Sequence, residues 1–180
     1  IVDNCQKRPQ RLFEERELSV DECAGYLQKA INLLKLQIVA SDGSEGTLKV
    51  IITVSPIRYA KYGYHGSQLS KATLLLAADK LVKENPGVVS YFPAYEIMND
   101  ELRDYRFYKE DMLHPSEQAV EYIWERFRAT YFGKAAEQFL EDWRPIREAL
   151  GHKPFHPESE EHQKFIARTE EKKRQFEEKY

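Results

Sequence analysis

Two short β-branched runs separated by one helix-length amphipathic stretch constrain the fold of this chain more than any other feature. Leu48-Lys49-Val50-Ile51-Ile52-Thr53-Val54 is nearly continuous in apolar character and ends at Ser55-Pro56, the pattern of a strand covered on both faces in a parallel sheet. A polar loop bearing Tyr and Gly, residues 58–66, leads into an amphipathic stretch over 67–84 that Asn85-Pro86-Gly87 breaks. Val88-Val89-Ser90-Tyr91-Phe92 then reads as a second strand. Strand, helix and strand in this order form a βαβ unit, whose strands run parallel and whose crossover is almost always right-handed.

Ahead of this unit, Ser19-Val20-Asp21-Glu22 has the form of a capping box, in which each end residue satisfies an otherwise unpaired backbone N–H. Cys23, Leu27, Ala30, Ile31, Leu34 and Ile38 follow at helical spacing. A helix is predicted over 20–40, stopped by Ser41-Asp42-Gly43-Ser44-Glu45-Gly46.

A chain of 180 residues with 42% hydrophobic and 12% aromatic side chains can bury the core of one main domain. Its 27 basic and 30 acidic side chains leave a net charge of −3, which implies no broad basic surface for nucleic acid or anionic lipid. No run approaches the roughly 18 apolar residues of a membrane span, and no secretory signal pattern opens the chain. Cys5 and Cys23 are too few for a disulfide framework, so reduced thiols in a cytoplasmic setting are the expectation. Ile1-Val2-Asp3-Asn4-Cys5 begins without Met, and the expectation is a segment of a longer protein.

The chemistry concentrates in Asp111-Met112-Leu113-His114-Pro115-Ser116. An aspartate three residues before a histidine supplies, in a hydrolase, the carboxylate that orients an imidazole and the imidazole that takes a proton from a serine. The same spacing also suits an aspartate that only caps a helix, and so short a motif arises by chance. Its position favours the chemical reading. A helix capped by Ser116 should follow, with Val120, Ile123, Trp124, Phe127 and Tyr131 on one stripe. The loops after Val54, after Phe92 and before Ser116 would then converge beyond the strand ends, where parallel sheets bind ligands.

Other candidates are weaker. His152 and His156 stand four apart, but Pro154 between them argues against one helix carrying both as zinc ligands. His65 lies in the loop after the first strand, and His162 has no evident partner. Among the serines, Ser55 is followed directly by Pro56, whereas a nucleophile elbow needs small residues and a helix N-terminus. Ser44 and Ser67 read as turn and cap residues. From Lys134 onward the chain is rich in Glu and Lys and helical, with an interruption over 151–157. The stretch 158–180 has a thin apolar set, Phe165, Ile166, Phe176 and Tyr180, which suits a solvated helix packed along one edge, or an oligomerisation arm.

Asn4-Cys5-Gln6-Lys7-Arg8-Pro9, Thr53-Val54-Ser55-Pro56-Ile57-Arg58, Ser70-Lys71-Ala72, the run from Tyr91 to Met98, Asp104-Tyr105-Arg106-Phe107-Tyr108 and the Asp111–Ser116 motif occur together in order. In this combination the chain resembles the GSCFA-domain family, placed among the SGNH-type hydrolases. The resemblance implies a flavodoxin-like three-layer α/β/α fold with a parallel sheet. Residues 1–133 would form the C-terminal portion of that domain and 134–180 a helical extension. It implies that His114 and Asp111 are two members of a Ser-His-Asp triad acting on a small-molecule or glycan ester, with no cofactor and no metal. The Gly-Ser-Cys-Phe-Ala motif that names the family, and carries its serine, is absent from these residues, so the chain by itself is expected to be inactive. Gln6 stands where the family commonly has His. A sheet lacking its early strands would expose an edge and apolar faces, which is compatible with a homo-oligomer. The rival expectation is a binding or assembly module with the same fold and no chemistry. A metal phosphoesterase using Asp111 and His114 as ligands ranks last for want of further ligands.

Overall fold

The computed structural model describes residues 9–42, 48–155 and 158–180. They form two compact units, one ending at Ile123 and one running from Trp124 to Tyr180. The fold is mostly helical with a small two-stranded parallel sheet, an α/β arrangement.

The first unit contains the βαβ element. Strands β1 (Val50–Ile52) and β2 (Val89–Tyr91) pair in parallel with Val50 opposite Val89, Ile51 opposite Ser90 and Ile52 opposite Tyr91. Both are shorter than the apolar runs that encode them. The Phe92 N–H still donates to the Ile52 carbonyl at 2.8 Å, but the Phe92 carbonyl accepts from the Ala94 N–H at 2.9 Å. Pro93 between them has no N–H, so the ladder ends there and the chain turns.

Helix α1 (Val20–Asp42) begins at the predicted capping box: the Ser19 hydroxyl accepts from the Glu22 N–H at 3.2 Å, and the Ser19 N–H donates to the Glu22 carboxylate at 2.9 Å. It extends two residues past the predicted stop, and positions 43–47 lie outside the described residues. Helix α2 (Gly63–Glu84) links the strands and starts four residues earlier than predicted. A 3-10 turn, Ala60–Tyr62, precedes it, and Gly63 has the positive φ (68°) that joins the two. Ser67 is therefore not a cap. It is buried in the helix, and its hydroxyl accepts from the Tyr59 N–H at 3.2 Å.

Both helices pack on one face of the sheet. Ala24 and Ile31 of α1, Ala77 and Leu81 of α2, and Val89 form the buried cluster, with Val50 and Ile52 at its edge. Ile51 faces the other way and is 39% exposed, so β1 is covered on one face rather than the two its composition suggested. Leu27 and Leu34, placed in the predicted stripe of α1, are 44% and 45% exposed. The burying stripe is rotated towards Val20, Ala24 and Ile31, because α1 carries apolar side chains on more than one face. A polar tie closes this layer: the buried Asn85 amide donates to the Gln28 side chain at 2.6 Å and to the Leu81 carbonyl at 3.0 Å.

Beyond β2 the chain makes one α turn, α3 (Ala94–Glu96), which widens into a π-helical turn, Ile97–Leu102, stopped by Arg103 in the left-handed region at φ 44°. Met98, Tyr108 and Ala119 are buried together with Leu102, Phe107 and Ile123 around them. Ala119 belongs to α4 (Glu117–Tyr131), which Ser116 caps by accepting from the Ala119 N–H at 3.3 Å. Ala119, not the exposed Val120, is the inward position of its first turns.

The second unit pairs α5 (Lys134–Gly151) with α6 (Glu160–Lys179). Phe176 packs against Phe139 and Trp143 with ring centroids 4.9 and 5.2 Å apart, and Tyr180 lies 4.9 Å from Phe139. Phe165 and Ile166 stay exposed, and Thr169 is the buried position of α6. No described helix is long and apolar enough to cross a membrane.

Leu81 is fully buried at the meeting of α1, α2 and β2. Leu81→Ala should lower unfolding free energy by about 2–5 kcal/mol, a loss read by urea titration followed by circular dichroism. A change under about 0.5 kcal/mol, typical of surface positions, would contradict this core assignment.

Candidate active site

The loop between the 3-10 turn Tyr105–Phe107 and α4 is folded into a tight turn by its own backbone. The Lys109 N–H donates to the His114 carbonyl at 2.8 Å, the Met112 N–H to the Lys109 carbonyl at 2.9 Å, and the Ser116 N–H to the Phe107 carbonyl at 2.7 Å. Tyr108 and Pro115 form an isolated antiparallel bridge across its base. Met112, at its tip, has φ 59°, a left-handed conformation a non-glycine residue adopts only when its surroundings impose it.

Asp111 imposes it. One carboxylate oxygen accepts from the Leu113 N–H at 2.8 Å and from the His114 N–H at 3.0 Å. The other lies 2.6 Å from His114 Nδ1. Asp111 therefore caps no helix, that place being taken by Ser116: one of its oxygens closes the turn and the other meets the imidazole. The backbone N–H groups of His114 and Leu113, and then the imidazole, hold the Asp111 carboxyl down at about 2, so it is ionised across the physiological range. With the carboxylate on Nδ1, the imidazole is oriented to expose Nε2, which has no hydrogen-bond partner among the described residues. The His114 side chain is 52% exposed and that of Asp111 43%.

The segment leaving β1 reaches this turn. The Arg58 N–H donates to the Leu113 carbonyl at 3.1 Å, and its guanidinium donates to the Met112 carbonyl at 3.4 Å while lying 4.1 Å above the centre of the Tyr108 ring. On its other side the segment is braced by Lys71, a buried lysine whose ammonium donates to the Ser55 carbonyl at 2.6 Å, and whose pKa burial lowers. At the end of β2 the Tyr91 hydroxyl donates to both Glu96 oxygens at 2.9 and 3.1 Å, and burial followed by that carboxylate raises the phenol. Sequence reading did not single out Arg58 as a neighbour of the turn, nor Lys71 as the brace of its segment. The signal available was their place in the stretches Thr53–Arg58 and Ser70-Lys71-Ala72 that the family resemblance rests on.

The remaining sequence candidates do not join the turn. His65 is exposed in the first turn of α2 instead of in a loop. His152 and His162 both lie against Phe165, at 5.6 and 6.4 Å between ring centres, and His156 is outside the described residues, as are Asn4, Cys5 and Gln6. Among the described residues no three His, Cys, Asp or Glu side chains are grouped to hold a metal ion.

An imidazole–carboxylate turn tied to the segment that leaves a parallel strand defines the class: an α/β protein with an exposed aspartate–histidine pair beyond the end of its first strand. Residues 1–127 match the GSCFA family, and residues 143–180 match the C-terminal domain of GSCFA domain proteins. The chain belongs to the GSCFA family. No curated protein and no solved structure matches it.

The pair has a pH signature. A carboxyl whose folded pKa lies below its ordinary 3.8 contributes stability above that value, and the contribution fades as pH falls towards about 2. His114→Ala leaves both backbone donors in place, so Asp111, followed by carboxyl carbon NMR, should still titrate below 3.8 in that variant. A return to 3.8 would mean that the imidazole alone sets the shift.

Proposed function

We propose that this chain carries the base and its orienter for a serine-dependent ester hydrolase, with His114 as general base and acid and Asp111 as the carboxylate behind it. The observation that carries the reading is the 2.6 Å contact between the Asp111 carboxylate and His114 Nδ1, with Nε2 left open. A serine at Nε2 would lose its proton to the imidazole as it attacks an ester carbonyl, and the imidazole would return that proton to the departing alkoxide. Asp111 keeps the required tautomer and stabilises the imidazolium that forms. A small-molecule or glycan ester is the substrate class we infer, through membership of a family placed among the SGNH-type hydrolases. The parallel β1–β2 pair, its connecting helix and the open face at Ile51 support a flavodoxin-like three-layer domain, with further strands and helices completing it.

The reading needs a serine at Nε2, and among the described residues none bonds to it. Ser67 is buried with its oxygen occupied by the Tyr59 N–H, Ser19, Ser116 and Ser159 cap helices, Ser55 precedes a proline, and Ser70 and Ser90 lie within α2 and β2. The nucleophile is therefore inferred to come from another segment of the family domain. That same absence favours a second reading, a binding or assembly module that keeps the turn as structure.

The full family domain containing this chain should hydrolyse a short-chain aryl ester, and His114→Ala should lower kcat by a factor on the order of 10⁴ or more. Unchanged turnover in the variant would remove His114 from the chemistry and leave the binding module.

A further inference from the structure

The Asp111–His114 turn is exposed, and its tip residue, Met112, sits in a left-handed conformation. A carboxylate bonded only to its own loop can close the turn, but cannot fix the turn against the sheet. Arg58 does. The backbone and side chain of this one residue reach the carbonyls of both Leu113 and Met112, the two residues between the aspartate and the histidine. Arg58 is half-buried as a residue, and its guanidinium is seated on the face of Tyr108, itself buried with Met98 and Ala119. No carboxylate of the described residues pairs with it, so its position is set by the ring and the turn. Its backbone is in turn held by the segment that Lys71 braces at Ser55.

We propose that Arg58 is a positioning residue for the proton-transfer pair: it holds the Asp111–His114 turn in register with the end of β1, so that the imidazole is presented at a fixed place and angle. This rests on the reading of His114 as a base. Arg58 acts through the Met112 and Leu113 carbonyls and touches neither reacting group. Arginine suits the role because a planar, delocalised cation stacks on an aromatic face while its edge still donates; a lysine ammonium donates but does not stack.

The test reads the pair directly, without turnover. A proton held between His114 Nδ1 and the Asp111 carboxylate gives a strongly downfield proton NMR line whose lifetime against solvent exchange reports how firmly the pair is kept. In the whole chain that line should be present, and Arg58→Ala should shorten its lifetime about tenfold or more while the variant still unfolds cooperatively. Arg58→Lys, which keeps charge and a donor without the stack, should fall between the two. A merely structural arginine would lower the melting temperature and leave the lifetime unchanged in the folded protein. That outcome overturns the proposal, as would a wild-type chain with no such line. If Arg58→Ala does not fold, the comparison of Arg58→Lys with wild type decides in the same sense. Hydrolysis is not read here, so an unaltered lifetime refutes the role of Arg58 and leaves the esterase reading standing or falling on its own assay.

Discussion

Three hydrogen-bond contacts to the carboxylate of Asp111 organise this site. Two backbone N–H groups converge on one oxygen and an imidazole nitrogen on the other, within four consecutive residues. An ionised carboxylate is the side chain best able to satisfy that set, because it has only acceptors to offer and each contact favours its charge. The geometry forces Met112 into the left-handed region, a conformation that costs about 1–3 kcal/mol and is retained where its surroundings over-determine it. The surroundings here are the carboxylate inside the turn and Arg58 outside it.

The rest of the first unit gives that turn a place to stand. Parallel strands deliver their C-terminal ends to one side of the sheet, and the chain leaving β1 goes directly to the turn. The Met98, Tyr108 and Ala119 cluster fills the space beneath it and supplies the ring on which Arg58 lies. The helices on the Val50 and Ile52 face keep the strand pair in register, with Asn85 and Gln28 joining α1 to the turn before β2. Loss of packing at Leu81 therefore acts on the site only through the sheet, whereas loss of Arg58 acts on it at first hand.

What the sequence made legible follows from how local each signal is. The capping box at Ser19 and the cap at Ser116 involve residues three apart, and both occur as read. The strand pair was legible from its β-branched runs, but its length was not: the ladder stops where Ala94 takes the Phe92 carbonyl, a competition decided after Pro93. The inward face of α1 was read in part: Cys23 and Ile31 do face the core, but Leu27, Leu34 and Ile31 are equally apolar and only tertiary packing chooses among them. In the site, Asp111 and His114 were visible because they are close in sequence. Arg58 is brought to them by the fold from 54 residues away, and no periodicity announces such a contact.

The central claim is that this turn serves a nucleophilic serine, and covalent capture tests it most directly. The full family domain containing this chain should react with a fluorophosphonate to give a single phosphonyl adduct on serine, resolved by intact mass and peptide mapping. The same protein with His114→Ala should not be labelled. Failure of the wild-type domain to react, or equal labelling of the variant, would contradict the account.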